Sequence, residues 1–295
     1  MILRLVMLRF RKEKIAQSLE LLKIDGSRIK EVWKNLREQG RGSQLFFWIA
    51  LVVIVVFTVF AGIDSFSFPT FADDAFGNWN VPALHIFYDG GVKMFGEMSE
   101  ILGRGRLGYP IHIPLYKAQL ATMMGGRYEM GINVLNFFLF VVLVKLSFLW
   151  TWEKTKKAVI SILPALLIVG LPLTFFHITD SYMEFPSAVF SILTIWFLYR
   201  YLAEKELGNV MLAALFGGLL AFTKNDGMVV YLSSIVLVFL GVLLGSKQFG
   251  AFFRSLWEKR GYVWGLLGIL LFCYLPFMAL KIRYGLGFNP VDTDK

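Results

Sequence analysis

Cysteine, histidine and charge are all scarce in this chain, and each scarcity excludes something. There is one cysteine in 295 residues, Cys273, so no intrachain disulfide can form and the redox compartment is not specified. The three histidines, His85, His112 and His177, include no pair at a ligand spacing such as H-x-x-x-H, which argues against a histidine-based zinc or manganese centre. A P-loop, a GxGxxG turn, a Ser-His-Asp pattern and a nucleic-acid module are all lacking, as are internal repeats and low-complexity linkers. Met1 to Lys14 has no continuous apolar core followed by a small-residue cleavage site, so it does not read as a cleavable signal peptide. Charged residues make up only 17% of the chain.

Hydrocarbon is what the chain has in excess. Hydrophobic residues reach 57%, with Phe 29 and Trp 8, and they come in blocks of about twenty, the length that crosses a bilayer as a helix. A soluble domain of this size cannot bury so many such blocks. The expected fold is therefore all-α: a polytopic membrane protein with seven transmembrane helices, near 45–63, 132–151, 158–177, 183–202, 208–223, 228–246 and 262–282.

The net charge of +9 is unevenly placed. Residues 1–44 carry eleven Lys or Arg against five acids, and Ile29, Val32, Trp33 and Leu36 fall at helical spacing between Ser27 and Gln39. That pattern predicts a cytoplasmic basic segment with an amphipathic helix lying on the inner surface; a solvated basic tail is the plainer alternative. Position beside the first span points to the lipid bilayer rather than nucleic acid as the partner of this charge. The connections at 153–157, 200–205 and 247–260 are basic, whereas 64–131 carries more acids than bases and 178–182 has no Lys or Arg. The alternation puts the N-terminus inside and the C-terminus outside.

The 68-residue loop 64–131 is too long for a mere connection. Its pieces Val81–Tyr88 and Ile111–Met124 are too short to span, and read as interfacial helices anchored by Trp79, Tyr88, Tyr109 and Tyr116.

Three polar clusters then share the outer side. Asp73 and Asp74 sit among aromatics just after the first span, and adjacent carboxylates in an apolar setting hold a proton more tightly, towards the range of a general base. The alternative is that Asp74 caps a short helix beginning at Ala75. A carboxylate-bound metal at this pair is a further option, but no cofactor is expected. Asp180 and Glu184, four apart, would share one helical face at the entry to the fourth span, or cap it. Thr223-Lys224-Asn225-Asp226-Gly227 follows a span that, counted from Asn209, is about 21 Å long against a core of about 30 Å, so Lys224 would sit below the outer surface and call for an anion. Pairing with Asp226 or Glu184 is the alternative. Arg104, Arg106 and Arg127 are more simply solvated loop cations.

Taken in order, these features resemble the GT-C glycosyltransferase superfamily, of the kind that includes protein O-mannosyltransferases and aminoarabinose transferases. The resemblance rests on the acidic pair Asp73-Asp74 followed by Trp79, on Tyr109-Pro110 with Pro114 in a long first outer loop, on the acidic turn Thr179-Asp180-Ser181-Tyr182, and on Thr223-Lys224-Asn225-Asp226-Gly227. The last is similar to a Thr-Lys-Asn-Glu-Gly turn of bacterial members, with Asp226 in place of the commoner Glu. It covers 45–285, the family's N-terminal seven-helix module; 286–295 would begin an outer loop, of either a fragment or a minimal member. The resemblance implies a hexosyl- or pentosyltransferase of the bacterial cell envelope, moving sugar with inversion from a polyprenyl-phosphate donor to an acceptor hydroxyl or amine on the extracytoplasmic face. Asp73 or Asp74 would be the base, the family motif favouring the first and the spacing to Trp79 the second. Lys224 would hold the donor phosphate, while Asp180, Glu184, Asp226, Trp79 and Tyr109 would position substrate. A transporter or flippase of lipid-linked sugars and a non-catalytic membrane scaffold are the rival readings.

Overall fold

A computed structural model describes residues 26–91, 109–126, 131, 133–244, 250, 254, 258, 260–273 and 275–284. Arg104, Arg106, Arg127, residues 1–25 and residues 286–295 lie outside the described residues. The described residues are helical, with no strand among them. In chain order the helices are α1 (Gly26–Arg37), α2 (Arg41–Ser67), α3 (Asp73–Ala75), a π-turn (Phe76–Asn80), α4 (Val81–Asp89), α5 (His112–Met123), α6 (Val134–Thr155), α7 (Ala158–Gly170), α8 (Pro172–Thr179), α9 (Glu184–Glu204), α10 (Leu207–Thr223), α11 (Asn225–Leu244), α12 (Arg260–Cys273) and α13 (Leu275–Tyr284).

Three of them, α2, α6 and α9, are individually long and apolar enough to cross a membrane, and α7 with α8 makes a fourth if that bent pair is one span. Helix α2 shows what such a helix asks of its solvent. Phe47, Ala50, Ile54 and Ala61 are buried at helical spacing, while Val52, Val55, Phe60 and Ile63 on its other sides are all more than half exposed. A stripe of this size facing water would drive aggregation, and facing hydrocarbon it costs nothing. The chain is a membrane-embedded all-α protein.

The helices sort into two compact units, Leu19–Ala75 with Met123–Phe185, and Phe76–Thr122 with Pro186–Lys295. In the first, α2, α6, α7 and α8 pack against one another and α1 rests on α2 and α7. A Cβ on Gly62 would lie 3.2 Å from the Phe137 ring, so a glycine is what lets α2 and α6 approach this closely. In the second, α10 packs on α11 and α12 through small residues, with Gly218 against Cys273.

The expected third span, 158–177, is not one straight helix. It breaks at Leu171, and α7 and α8 diverge by 65°. Pro172 lacks an N–H for the ladder and pushes the residue before it out of the helical region, and Leu171 accordingly has φ −84° and ψ 112°. The fifth apolar helix begins at Leu207, earlier than Asn209, and its 17 residues reach about 25 Å. The length of about 21 Å counted from Asn209, on which the sunken position of Lys224 rests, is therefore too short.

Gly227 is held to glycine by contact. A Cβ there would run into the backbone carbonyl of Leu220, one helix back across the α10–α11 turn. Gly227→Ala should lower stability by about 1–3 kcal/mol through forced separation of the two helices, read as a lower thermal midpoint in detergent.

Candidate functional site

Two asparagines at the start of α6 build the acidic part of the site. Asn133 precedes the helix and Asn136 sits one turn along, both with no more than 1% exposure. Asn133 Nδ2 donates to Thr70 Oγ1 at 2.7 Å, which holds the segment between α2 and α3. Asn136 Nδ2 donates to the carbonyls of His177 and Tyr182, 2.8 Å each, which holds the α8–α9 turn. The two held segments are then joined directly: the Phe71 N–H donates to Asp180 Oδ1 at 3.0 Å. Each bond satisfies a polar group that low-dielectric surroundings would otherwise penalise.

The result brings four carboxylates within electrostatic reach of one phenol, that of Tyr182. Burial pushes the Tyr182 hydroxyl above its ordinary value of 10.0, and the charges of Asp74, Asp180, Glu184 and Asp73, in that order of effect, push it further. Asp74 is half-buried and Asp73 exposed; Asp180 is buried and Glu184 half-buried. Like charges disfavour the phenolate, so Tyr182 stays a neutral donor at any ordinary pH. The ring lies 5.2 Å from both His177 and Phe176, which fixes its plane.

The local backbone differs from expectation in two places. Asp73 and Asp74 both belong to the three-residue α3, so Asp74 does not precede a helix starting at Ala75. Nor do Asp180 and Glu184 share a helical face. Asp180 ends α8, Glu184 begins α9, and Ser181 between them has φ 58°, a left-handed conformation that few non-glycine residues adopt. Asp180 and Glu184 still act on the same hydroxyl because this turn reverses the chain, not because a helix aligns them. A strained residue persisting in a buried turn is the kind of feature that gathers at working sites.

The other unit carries the remaining predicted residues. Trp79 is buried and its ring lies 5.1 Å from that of Tyr109. Lys224 separates α10 from α11 with extended dihedrals, φ −149° and ψ 149°, and its carbonyl accepts from the Gly227 N–H at 3.0 Å. Asp226 is exposed at the start of α11. Two residues support this turn, and a third is buried elsewhere in the same unit. His112 stacks on Phe222 (5.2 Å, 9°) with its Nδ1 3.5 Å from Thr223 Oγ1. Lys281, 3% exposed, donates to Asn225 Oδ1 at 3.1 Å and lies 4.9 Å over the Phe277 ring. Lys117 is fully buried and donates to Asn80 Oδ1. For the two lysines the sequence signal is a cation inside an apolar helix, which is costly enough to mark a role.

Comparison with known protein families, characterised proteins and solved structures finds no match. The chemistry of the site is therefore read from its own residues. Asp73, Asp74, Asp180 and Glu184 fall in the same compact unit as Tyr182, and Lys224, Asp226, Trp79 and Tyr109 fall in the other, where the Trp79 and Tyr109 rings pair. Among the described residues no group of three or more His, Cys, Asp or Glu is arranged to hold a metal ion. What the cluster offers is a set of proton acceptors at graded depth beside one neutral donor.

His112 gives the second unit a pH dependence. Burial lowers its imidazole from 6.5 to about 4. The unfolded chain therefore takes up the proton first as pH falls, so stability is complete above pH 6.5, declines towards pH 4 and then levels. The thermal midpoint should drop between pH 7 and pH 5, and drop less in His112→Phe, which keeps the stacking on Phe222 but cannot protonate.

Proposed function

We propose that this protein is a membrane-embedded GT-C-type glycosyltransferase that moves a sugar from a polyprenyl-phosphate donor to an acceptor hydroxyl or amine, with inversion, on the extracytoplasmic face. In this reading the N-terminus is cytoplasmic and the seven apolar stretches all span. The observation that carries it is the joining of the Asp73-Asp74 segment to the Asp180–Glu184 turn from more than a hundred residues away, through the Phe71 N–H on Asp180 Oδ1 and through Asn133 and Asn136. Asp180 has a structural partner in the Phe71 N–H, and acids brought this near one another are the kind of group that gathers at working sites.

The chemistry follows from their types. A carboxylate takes the proton from the acceptor as its oxygen or nitrogen bonds to the anomeric carbon. The bond from that carbon to the phosphate oxygen breaks on the opposite side, and its electron pair leaves with the polyprenyl phosphate. Asp74, half-buried and first among the charges acting on Tyr182, is better suited to the base than the exposed Asp73. Asp180 and Glu184 orient sugar or acceptor hydroxyls, with Tyr182 as a neutral donor. Lys224 meets the charge developing on the leaving phosphate, and Lys281, bonded to the neighbouring Asn225, adds a second cation to that turn. The resemblance gives Asp226, Trp79 and Tyr109 the role of positioning substrate.

One observation favours a transporter of lipid-linked sugars instead. The 65° break between α7 and α8 is a discontinuous helix, a device transporters use at their binding sites. Turnover decides between the two, because a transporter moves the donor unchanged. Membranes carrying the protein should release polyprenyl phosphate from labelled donor. Asp74→Asn should cut that rate by about 100-fold or more, Lys224→Ala by about tenfold or more, and Asp73→Asn by less than either. Full transfer activity in all three variants, or donor that crosses the membrane with its sugar intact, contradicts the assignment.

A further inference from the structure

The opposite end of α6 carries a second site, unrelated to the acids. From Asn136 to Trp152 the helix runs about 24 Å. There α1 lies over α2 and α6 and leaves an apolar cavity of about 220 Å³, walled by Ile29, Trp33, Trp48, Leu51, Phe148 and Trp152. It adjoins a smaller cavity of about 120 Å³, which shares Arg28, Leu149 and Trp152 with it and adds Glu31, Glu153 and Lys156. The arrangement is built rather than incidental. Asn35 Oδ1 accepts from the first N–H of α7, that of Ala158, at 2.9 Å, which fixes α1 on the bundle. Trp33 and Trp48 pack at 5.4 Å.

We infer that this pair of cavities binds a single phospholipid whose headgroup carries both a phosphate and a primary ammonium, with part of one acyl chain in the larger cavity. The larger cavity is below the ~300–1,000 Å³ of drug-sized pockets and is almost wholly apolar, which suits a strand of hydrocarbon and not a polar metabolite. The smaller one holds two cations, Arg28 and Lys156, with two carboxylates, Glu31 and Glu153. A purely anionic headgroup meets repulsion from the acids, and a quaternary ammonium gives them no N–H to accept. Phosphate with a primary ammonium offers each pair a group of opposite charge and N–H or O atoms for charge-assisted hydrogen bonds, beyond the partners these side chains already have. A further donor stands on the wall: Trp152 is 5% exposed and its indole Nε1–H, buried, has no acceptor among the described residues. Such a group is stabilised by an oxygen supplied from outside, here a lipid phosphate or ester carbonyl.

The test is native mass spectrometry of the delipidated full chain in detergent, titrated with phosphatidylethanolamine, phosphatidylglycerol or phosphatidylcholine of identical acyl chains. One phosphatidylethanolamine should bind about tenfold more tightly than either other lipid. The Glu31→Gln/Glu153→Gln variant should bring that preference within about threefold, and Val32→Trp, which fills the larger cavity from a half-exposed position, should abolish the specific adduct for all three. Equal binding of the three lipids, or a preference for phosphatidylglycerol, would overturn the inference. So would an adduct unaffected by Val32→Trp, or binding that appears only once residues 1–25 are removed, since the groove would then belong to the chain's own N-terminal segment.

Discussion

Asn136 is the residue on which the acidic site depends. Its one amide group holds the carbonyls of His177 and Tyr182 together, at either side of a turn that contains a left-handed serine. In water such bonds would contribute modestly, because solvent carbonyls and solvent donors compete. Within a lipid-facing bundle an unmade bond has no substitute, so the asparagine becomes a structural requirement. Asn133, three residues earlier, does the same for the segment leading to Asp73 and Asp74. One helix start therefore sets the positions of two segments that lie far apart in sequence.

That arrangement explains how like charges tolerate each other here. Asp180 is stabilised by the Phe71 N–H, and Asp73 is exposed and keeps its solvent. The gradation from exposed Asp73 to buried Asp180 means the carboxylates do not all face the same desolvation cost, which is the condition for neighbouring acids to take different roles. Near the other end of the same helix, at Trp152, basic and acidic groups adjoin an apolar groove. Helix α6 thus separates two chemistries by its own length.

Much of this was legible in the chain itself. The apolar block expected at 132–151 is the helix Val134–Thr155, and that expected at 183–202 is Glu184–Glu204, because an unbroken run of hydrocarbon leaves the backbone no other way to satisfy its polar groups. The interfacial pieces expected at 81–88 and 111–124 are Val81–Asp89 and His112–Met123. The break at Gly170-Leu171-Pro172 was readable from the proline, although the apolar run concealed it. Ser181 was not readable, since nothing in a serine announces a left-handed turn. Asn133 and Asn136 were hidden for another reason: an asparagine at the head of an apolar run looks like a cap, and only tertiary structure shows it bonding to residues forty and more positions away. Lys117 lies within a piece that reads as interfacial and Lys281 near the end of an apolar stretch, both places where a lysine can ordinarily reach water. In the folded chain both are buried and bonded to asparagines.

The convergence of the four acids on one phenol is the central claim, and the Tyr182 titration tests it directly. The phenol should be followed as the ultraviolet difference between the protein and its Tyr182→Phe variant. In the intact site it should ionise above the ordinary 10.0, and Asp74→Asn should move it back down towards that value. A Tyr182 that titrates at its ordinary value and is unmoved by Asp74→Asn would show that the carboxylates do not surround it, and the site built on them would not exist.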